Sequence, residues 1–228
     1  MEFLLDGFAD GLMRVLRADP HVMLAAWVTI KVGIWATILA SLIGLPVGFL
    51  LAMGRFRGRG FAITLLQTSL GLPTVVIGLL AYGFLSRRGP LGFADLLFTP
   101  SAIVVGLVVL AVPLVAVFSM TSVASVDGRV RETALTLGAS NGLVAWTVLR
   151  EARFGMIAAV LAAFGRVSSE VGIAMMLGGN IEGYTRTLTT AIALESMKGE
   201  FGFGIALGVV LLAIIFVTNL LSRYIQRS

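Results

Sequence analysis

Four stretches of the sequence carry no charged residue, and each is long enough for a helix to cross a lipid bilayer. They are residues 32–54, 60–86, 96–126 and 201–222, whereas a transmembrane helix needs only about 20 apolar residues. A fifth apolar segment, about residues 154–177, is interrupted only by Arg166 and Glu170. Charged residues make up 13% of the chain, about half the share typical of a soluble domain. The sequence therefore predicts an all-α integral membrane protein with five transmembrane helices.

These segments predict one transmembrane domain, residues 21–228, with a cytoplasmic loop at residues 127–150. The predicted spans are about residues 25–54, 61–86, 101–126, 154–177 and 201–223. Gly71 and Pro73 are expected to break the second span, because both residues interrupt regular helix.

The first 20 residues form a separate N-terminal segment. Apolar residues recur there at helical spacing, with Asp6, Asp10, Arg14 and Arg17 between them. The acidic residues do not fit a cleavable signal peptide. We expect a short helix that lies along the membrane surface; a frayed polar terminus is the alternative.

Basic residues indicate the orientation of the spans. If the loop at residues 127–150 is cytoplasmic, the basic residues on the inside are Arg55, Arg57, Arg59, Arg129, Arg131, Arg150, Arg153, Arg223 and Arg227. Those on the outside are Arg14, Arg17, Arg87, Arg88, Arg186 and Lys198. Because basic loops favour the cytoplasmic side, the expected topology has the N-terminus outside and the C-terminus inside, in a bacterial or archaeal cytoplasmic membrane.

A short polar helix is predicted within the cytoplasmic loop, over residues 131–140. Ala134, Leu137 and Gly138 stand at positions i, i+3 and i+4, which lie on one helical face, and Glu132 lies near the helix start. Small side chains on that face would let a partner approach closely. An ordinary amphipathic loop helix is the alternative. Asn141 and Gly142 are typical of a turn and are expected to precede a second short helix.

Several kinds of chemistry are excluded by what the sequence lacks. A phosphate-binding loop requires a lysine between glycine and serine or threonine, but Lys31 and Lys198 follow Ile30 and Met197. The chain has no cysteine and a single histidine, His21, so we expect no metal site, no cofactor and no catalytic residues. The net charge of +5 is accounted for by the membrane topology, without nucleic acid.

Hydrogen-bond donors that suit an oxyanion are concentrated in and after the fourth span. The predicted translocation pathway consists of Arg166, Ser168, Ser169, Glu170, Asn180, Thr185, Arg186, Thr187, Thr189 and Thr190. An arginine at bilayer depth favours a functional role, but an i,i+4 ion pair that only orients the helix is an equal alternative for Arg166 and Glu170. A short helix is also predicted over residues 187–195.

The polar loop resembles the coupling loop of permease subunits of binding-protein-dependent ABC importers. That family carries Glu-Ala-Ala…Gly, matched here by Glu132, Ala134 and Gly138, although Thr133 replaces the second residue and Leu149-Arg150 replaces a common Leu-Pro. The sequence Gly-Gly-Asn-Ile at 178–181 and Thr-Arg-Thr-Leu-Thr-Thr at 185–190 is similar to the oxyanion branch, most of all to tungstate-uptake permeases.

The resemblance implies a homodimer that works with two copies of a separate ATPase and a periplasmic or lipid-anchored oxyanion-binding protein. It assigns the ATPase contact to Glu132, Thr133, Ala134, Leu137, Gly138 and Ala139. Molybdate or sulfate transport within the same family is the nearest alternative. An ATPase-independent anion carrier or channel is the alternative from another class.

Overall fold

The computed structural model describes the backbone of residues 2–227 and all side chains in that range except those of residues 2–7, 10 and 227. This part of the chain is all-α, as predicted, and contains no strand. Its helices are α1 (Glu2–Leu16), α2 (Pro20–Met53), α3 (Arg59–Ser69), α4 (Thr74–Leu85), α5 (Pro100–Ala124), α6 (Gly128–Thr136), α7 (Asn141–Ser168), α8 (Gly172–Gly178), α9 (Leu188–Lys198) and α10 (Phe201–Arg227).

Within residues 2–227 the helices supply three apolar spans, or five if each of two bent helix pairs forms one span. Helices α2, α5 and α10 are each long and apolar enough to cross a membrane. The pair α3 and α4 is bent by 99° at residues 70–73, and the pair α7 and α8 is bent by 61° at residues 169–171. The first break occurs where Pro73 was expected to interrupt the span. The second break was not predicted.

Helix α2 packs most extensively against α5, through a stripe of small residues. A Cβ atom at Gly44 would lie 2.8 Å from the Val115 side chain, and one at Gly48 would lie 2.4 Å from the carbonyl oxygen of Ala116. Lipid tails are as apolar as side chains, so membrane helices associate mainly by such close packing. The two glycines therefore set the distance between α2 and α5.

The largest apolar cluster joins α2, α4, α5 and the short helix α8. Ile103 and Leu107 of α5 are fully buried against Ile173 and Leu177 of α8. The bend after α7 turns α8 inward, so that it packs in the protein interior instead of continuing the direction of α7.

Helix α1 packs against α10. A Cβ atom at Gly11 would lie 2.8 Å from the carbonyl oxygen of Gly202, and the Arg14 guanidinium lies 5.2 Å from the ring centre of Phe203. The predicted helix is present, whereas its position along the membrane surface stays a prediction.

Helix α7 corrects two predictions about the region around residue 141. No turn occurs at Asn141-Gly142 and no separate short helix follows, because α7 runs unbroken from Asn141 to Ser168. The Ser140 hydroxyl accepts a hydrogen bond from the backbone N–H of Leu143 and caps the helix start. Arg166 therefore lies in the last turn of α7, not in the middle of an uninterrupted span.

Candidate functional site

Helix α6 lies in the predicted coupling loop but spans Gly128–Thr136 instead of residues 131–140, and local contacts define where it begins. The Asp127 carboxylate accepts a hydrogen bond of 2.9 Å from the backbone N–H of Arg129 and so caps the helix. The Arg129 side chain pairs with the same carboxylate at 2.6 Å. These hydrogen bonds, that of the side chain above all, hold the pKa of Asp127 below its usual value. The helix start is thus specified by the N-cap residue Asp127 and by Arg129 in the first turn of the helix.

Gly138 ends α6 and has a conformational role that the helical spacing did not predict. Its φ angle is +80°, and its N–H donates to the carbonyl of Leu135 while the N–H of Ala139 donates to that of Ala134. This pattern is a Schellman motif, in which glycine is preferred because it has no Cβ. Gly138 therefore follows the helix instead of continuing the face of Ala134, which corrects the predicted i+4 relationship.

The end of α6 and the start of α7 enclose an exposed groove of about 790 Å³. Five predicted coupling residues line it: Thr133, Ala134, Leu137, Gly138 and Ala139. Glu132 is exposed on α6 but does not line the groove. None of the residues of α6, all of which are described, is buried.

Exposed apolar side chains lie in and beside this groove, and no described part of the chain covers them. Leu137 is 81% exposed, and Leu143 and Trp146 of α7 are also exposed. Large apolar residues that cluster on an exposed surface mark an interaction site. Together with the groove they form what we call the α6 docking surface: Thr133, Ala134, Leu137, Gly138, Ala139, Leu143 and Trp146.

Arg166 lies in the last turn of α7, and Glu170 lies within the break between α7 and α8. Their side chains form an ion pair of 2.9 Å, in which Arg166 is 42% exposed and Glu170 only 4%. The second carboxylate oxygen of Glu170 accepts a hydrogen bond from the backbone N–H of Gly172 at the start of α8. Glu170 thus orients α8, while part of the Arg166 guanidinium remains accessible.

The predicted pathway threonines are buried and hydrogen-bonded within the chain. The Thr187 hydroxyl caps α9 and contacts those of Thr189 and Thr190, and Thr189 donates to the carbonyl oxygen of Glu170. The Thr185 hydroxyl donates to the carbonyl oxygen of Gly178. In this conformation these four hydroxyl groups hold the loop before α9 in place, and their part in a translocation pathway stays a prediction.

The remaining predicted pathway residues are dispersed. Ser168 is buried, and its hydroxyl has no hydrogen-bond partner among the described residues. Ser169 is exposed and bonds to the carbonyl of Arg166. Asn180 adopts a φ of +53° in the loop after α8. Arg186 pairs with Glu182 at 3.1 Å. Only Arg166 and Ser169 present polar groups together on one exposed surface.

Two contacts that were not predicted from the sequence position the loop between α8 and α9. His21 at the start of α2 hydrogen-bonds Glu182, and the hydroxyl of Thr29 accepts from the N–H of Leu188 at the start of α9. The hydrogen bond from His21, followed by the charge of Arg186, lowers the pKa of Glu182. Both contacts join residues about 160 positions apart, so no local pattern signals them.

Comparisons with known proteins agree with this architecture. The family model described as the binding-protein-dependent transport system inner membrane component matches residues 44–228. A probable anion ABC transporter permease of Haloferax volcanii is 41% identical over 88% of this chain and 89% of its own. The tungstate uptake permease TupB of Campylobacter jejuni is 38% identical over 100% of this chain and 95% of its own. The molybdenum permease ModB of Azotobacter vinelandii is 29% identical over 89% of this chain and 94% of its own.

Solved structures of ABC transporters share the fold. A chain of an amino acid ABC transporter superposes with a TM-score of 0.72 at 17% identity, covering 94% of this chain and 97% of that one. A chain of the inward-facing MetNI methionine transporter gives 0.71 at 17% identity over 91% and 95%. At these identities the likeness concerns the fold alone. From the family match and the full-length relatives we conclude that the chain belongs to the binding-protein-dependent transport system inner membrane component family, whose members are membrane permeases.

Proposed function

We propose that this permease subunit serves an ATP-driven importer of tetrahedral oxyanions, and that its substrate is tungstate. The observation that supports tungstate as the substrate is the 38% identity to a tungstate uptake permease over the whole chain. Identity to the molybdenum permease is lower, at 29%. Because this identity is lower, molybdate is the second candidate substrate within the same chemical class.

The proposed partner of the α6 docking surface is a separate ATPase subunit. A groove lined by exposed Leu137 and Leu143, with exposed Trp146 about one turn further along α7, is suited to burial by another protein. The chain has no phosphate-binding lysine motif of its own, so ATP hydrolysis is assigned to that partner. In this proposal α6 lies in the cytoplasm, with the N-terminus of the chain outside and the C-terminus inside.

A second copy of the chain is needed to complete the proposed pathway. Arg166 and Ser169 lie on an exposed surface at the break between α7 and α8, so one copy of the chain would supply only one wall of a pathway there. In a homodimer two such surfaces face each other, and the accessible part of each guanidinium donates hydrogen bonds to the passing oxyanion. A periplasmic or lipid-anchored binding protein delivers the anion to the outer mouth.

ATP binding drives the proposed cycle through α6. Closure of the two ATPase subunits brings the paired α6 helices together and opens the outer mouth. Hydrolysis then returns the dimer to the inward-facing state. Such coupling requires only that the ATPase binds the two conformations with different affinities.

Uptake by proteoliposomes tests this proposal. The permease is reconstituted with its ATPase and binding protein, and tungstate entry is compared with molybdate and sulfate entry at equal concentrations. We expect tungstate to enter fastest and only with enclosed ATP. Faster molybdate or sulfate entry would reassign the substrate, and entry without ATPase would identify a secondary carrier.

A further inference from the structure

A groove between α2 and α5 has one basic end and is otherwise apolar. Its volume is about 530 Å³, and it is separate from the α6 docking surface and from Arg166. On α2 it is lined by Lys31, Trp35 and Leu39. Residues four apart lie on one helical face, so the groove runs along the helix axis, with the lysine at one end and aromatic and aliphatic surface beyond it.

Helix α5 forms the opposite wall, which also has a polar residue at one end and apolar residues beyond it. Ser101, the second residue of α5, precedes Val104 and Val105 by about one turn, and all three line the groove. The loop after α8 adds Tyr184. That loop contacts the start of α2 through Glu182 and His21, so Tyr184 lies toward the basic end. The polar groups of all three elements thus lie at one end.

No described side chain neutralises the charge at this end of the groove. Lys31 forms no ion pair with any side chain in the described part of the chain. Glu182, the acidic residue nearest to Tyr184 in sequence, is engaged by His21 and Arg186. An unpaired lysine at the end of a transmembrane segment attracts anionic lipid headgroups, and tryptophan and tyrosine favour the same depth.

We propose that this groove binds one anionic phospholipid, with the phosphate of its headgroup at Lys31 and an acyl chain against Trp35, Leu39 and Val105. Trp35 is 55% exposed within a segment that carries no charge. Lipid is the occupant because the groove lies between two helices that are long and apolar enough to span a membrane, its wall is apolar, and its single charge is complementary to phosphate. The site is independent of which anion the permease transports.

Quenching of Trp35 fluorescence tests the proposal on the full chain. Trp27→Phe and Trp146→Phe leave Trp35 as the single tryptophan. The protein is reconstituted in phosphatidylcholine that contains a small fraction of either brominated phosphatidylglycerol or brominated phosphatidylcholine. We expect the anionic lipid to bind with about fivefold preference, the effect of one lysine near a membrane surface. Equal quenching by the two lipids would overturn the proposal.

Matched variants identify the residues responsible. Lys31→Gln should reduce the preference to about one, whereas Arg88→Gln, which removes an equal charge from an exposed loop, should preserve it. Val105→Phe should fill the groove and abolish the preference, whereas Val109→Phe, on an exposed part of α5 outside the groove, should not. An equal loss in Arg88→Gln would reassign the preference to the general surface charge, and an unchanged preference in Val105→Phe would place the lipid elsewhere.

Discussion

Arg166 and Glu170 form an ion pair whose two members differ in their environment. The carboxylate is almost fully buried and is also bonded to the N–H of Gly172, whereas the guanidinium is 42% exposed. Loss of the arginine therefore strands a buried charge, but loss of the carboxylate leaves an arginine that solvent can reach. Because the two residues differ in this way, variants of each can distinguish a structural role of the pair from a role in transport.

Arg166→Gln is expected to reduce both the stability of the fold and uptake. A buried charged group that loses its partner lowers the free energy of unfolding by about 1–3 kcal/mol or more. Thermal unfolding in detergent measures this loss of stability. Arg166→Gln combined with Glu170→Gln should regain stability, because the glutamine carbonyl still accepts from Gly172 and no charge is buried. We expect the double variant to remain inactive in uptake. Recovered uptake would show that the pair serves only to orient α8.

Gly138→Ala is expected to weaken binding of the ATPase. No other described atom lies within 4 Å of a Cβ atom at Gly138, so the effect comes from the φ angle of +80°, which costs a residue with a Cβ about 1–2 kcal/mol. Gly138→Asn should be milder, because asparagine tolerates this conformation. Gly142→Ala, in an open helical position, is the control. Equal losses in the alanine and asparagine variants would instead indicate that the ATPase packs directly on Gly138.

Gly48→Ala is expected to destabilise the contact between α2 and α5. The new Cβ atom would lie 2.4 Å from a backbone oxygen, and such overpacking typically costs about 1–3 kcal/mol. Gly83→Ala in α4 meets no described atom within 4 Å and should be neutral or stabilising because alanine favours helix. Unfolding temperatures in detergent compare the two variants. Equal stability would contradict the close packing of α2 on α5.

Accessibility of single cysteines tests the proposed topology on a chain that has none of its own. Gly142→Cys should react only with membrane-permeant thiol reagents in intact cells. Glu200→Cys, in the exposed turn between α9 and α10, should react with an impermeant reagent from outside. External labelling at residue 142 would invert the orientation and separate the α6 docking surface from a cytoplasmic ATPase.

Glu182→Gln is expected to remove a pH-dependent contribution to stability. The pKa of Glu182 is below its usual value of 4.5, so its carboxylate is favoured in the folded state. Its contribution is complete above that usual value and is lost as the pH falls through the lower pKa of the folded state. The difference in unfolding temperature between the parent and Glu182→Gln should therefore shrink below about pH 4.5. Glu200→Gln serves as the control, and a constant difference would contradict the role of the carboxylate.

The sequence by itself determined the features that depend on local composition. Uncharged segments predicted five spans, Gly71 and Pro73 predicted the break before α4, and the polar residues near 131–140 predicted an exposed loop helix. Apolar length and the conformational restrictions of proline act through neighbouring residues, so they can be recognised without the fold.

Only the tertiary structure decided how the polar groups of the second half are used. The hydroxyl-rich run at residues 185–190 resembles a line of oxyanion ligands, but Thr187 and Thr189 are buried in contacts with each other and with Glu170. Likewise, His21 meets Glu182 across 161 positions of sequence. A hydroxyl that binds an anion and one that caps a helix have the same chemistry, and the difference lies in which atoms folding brings within hydrogen-bond distance.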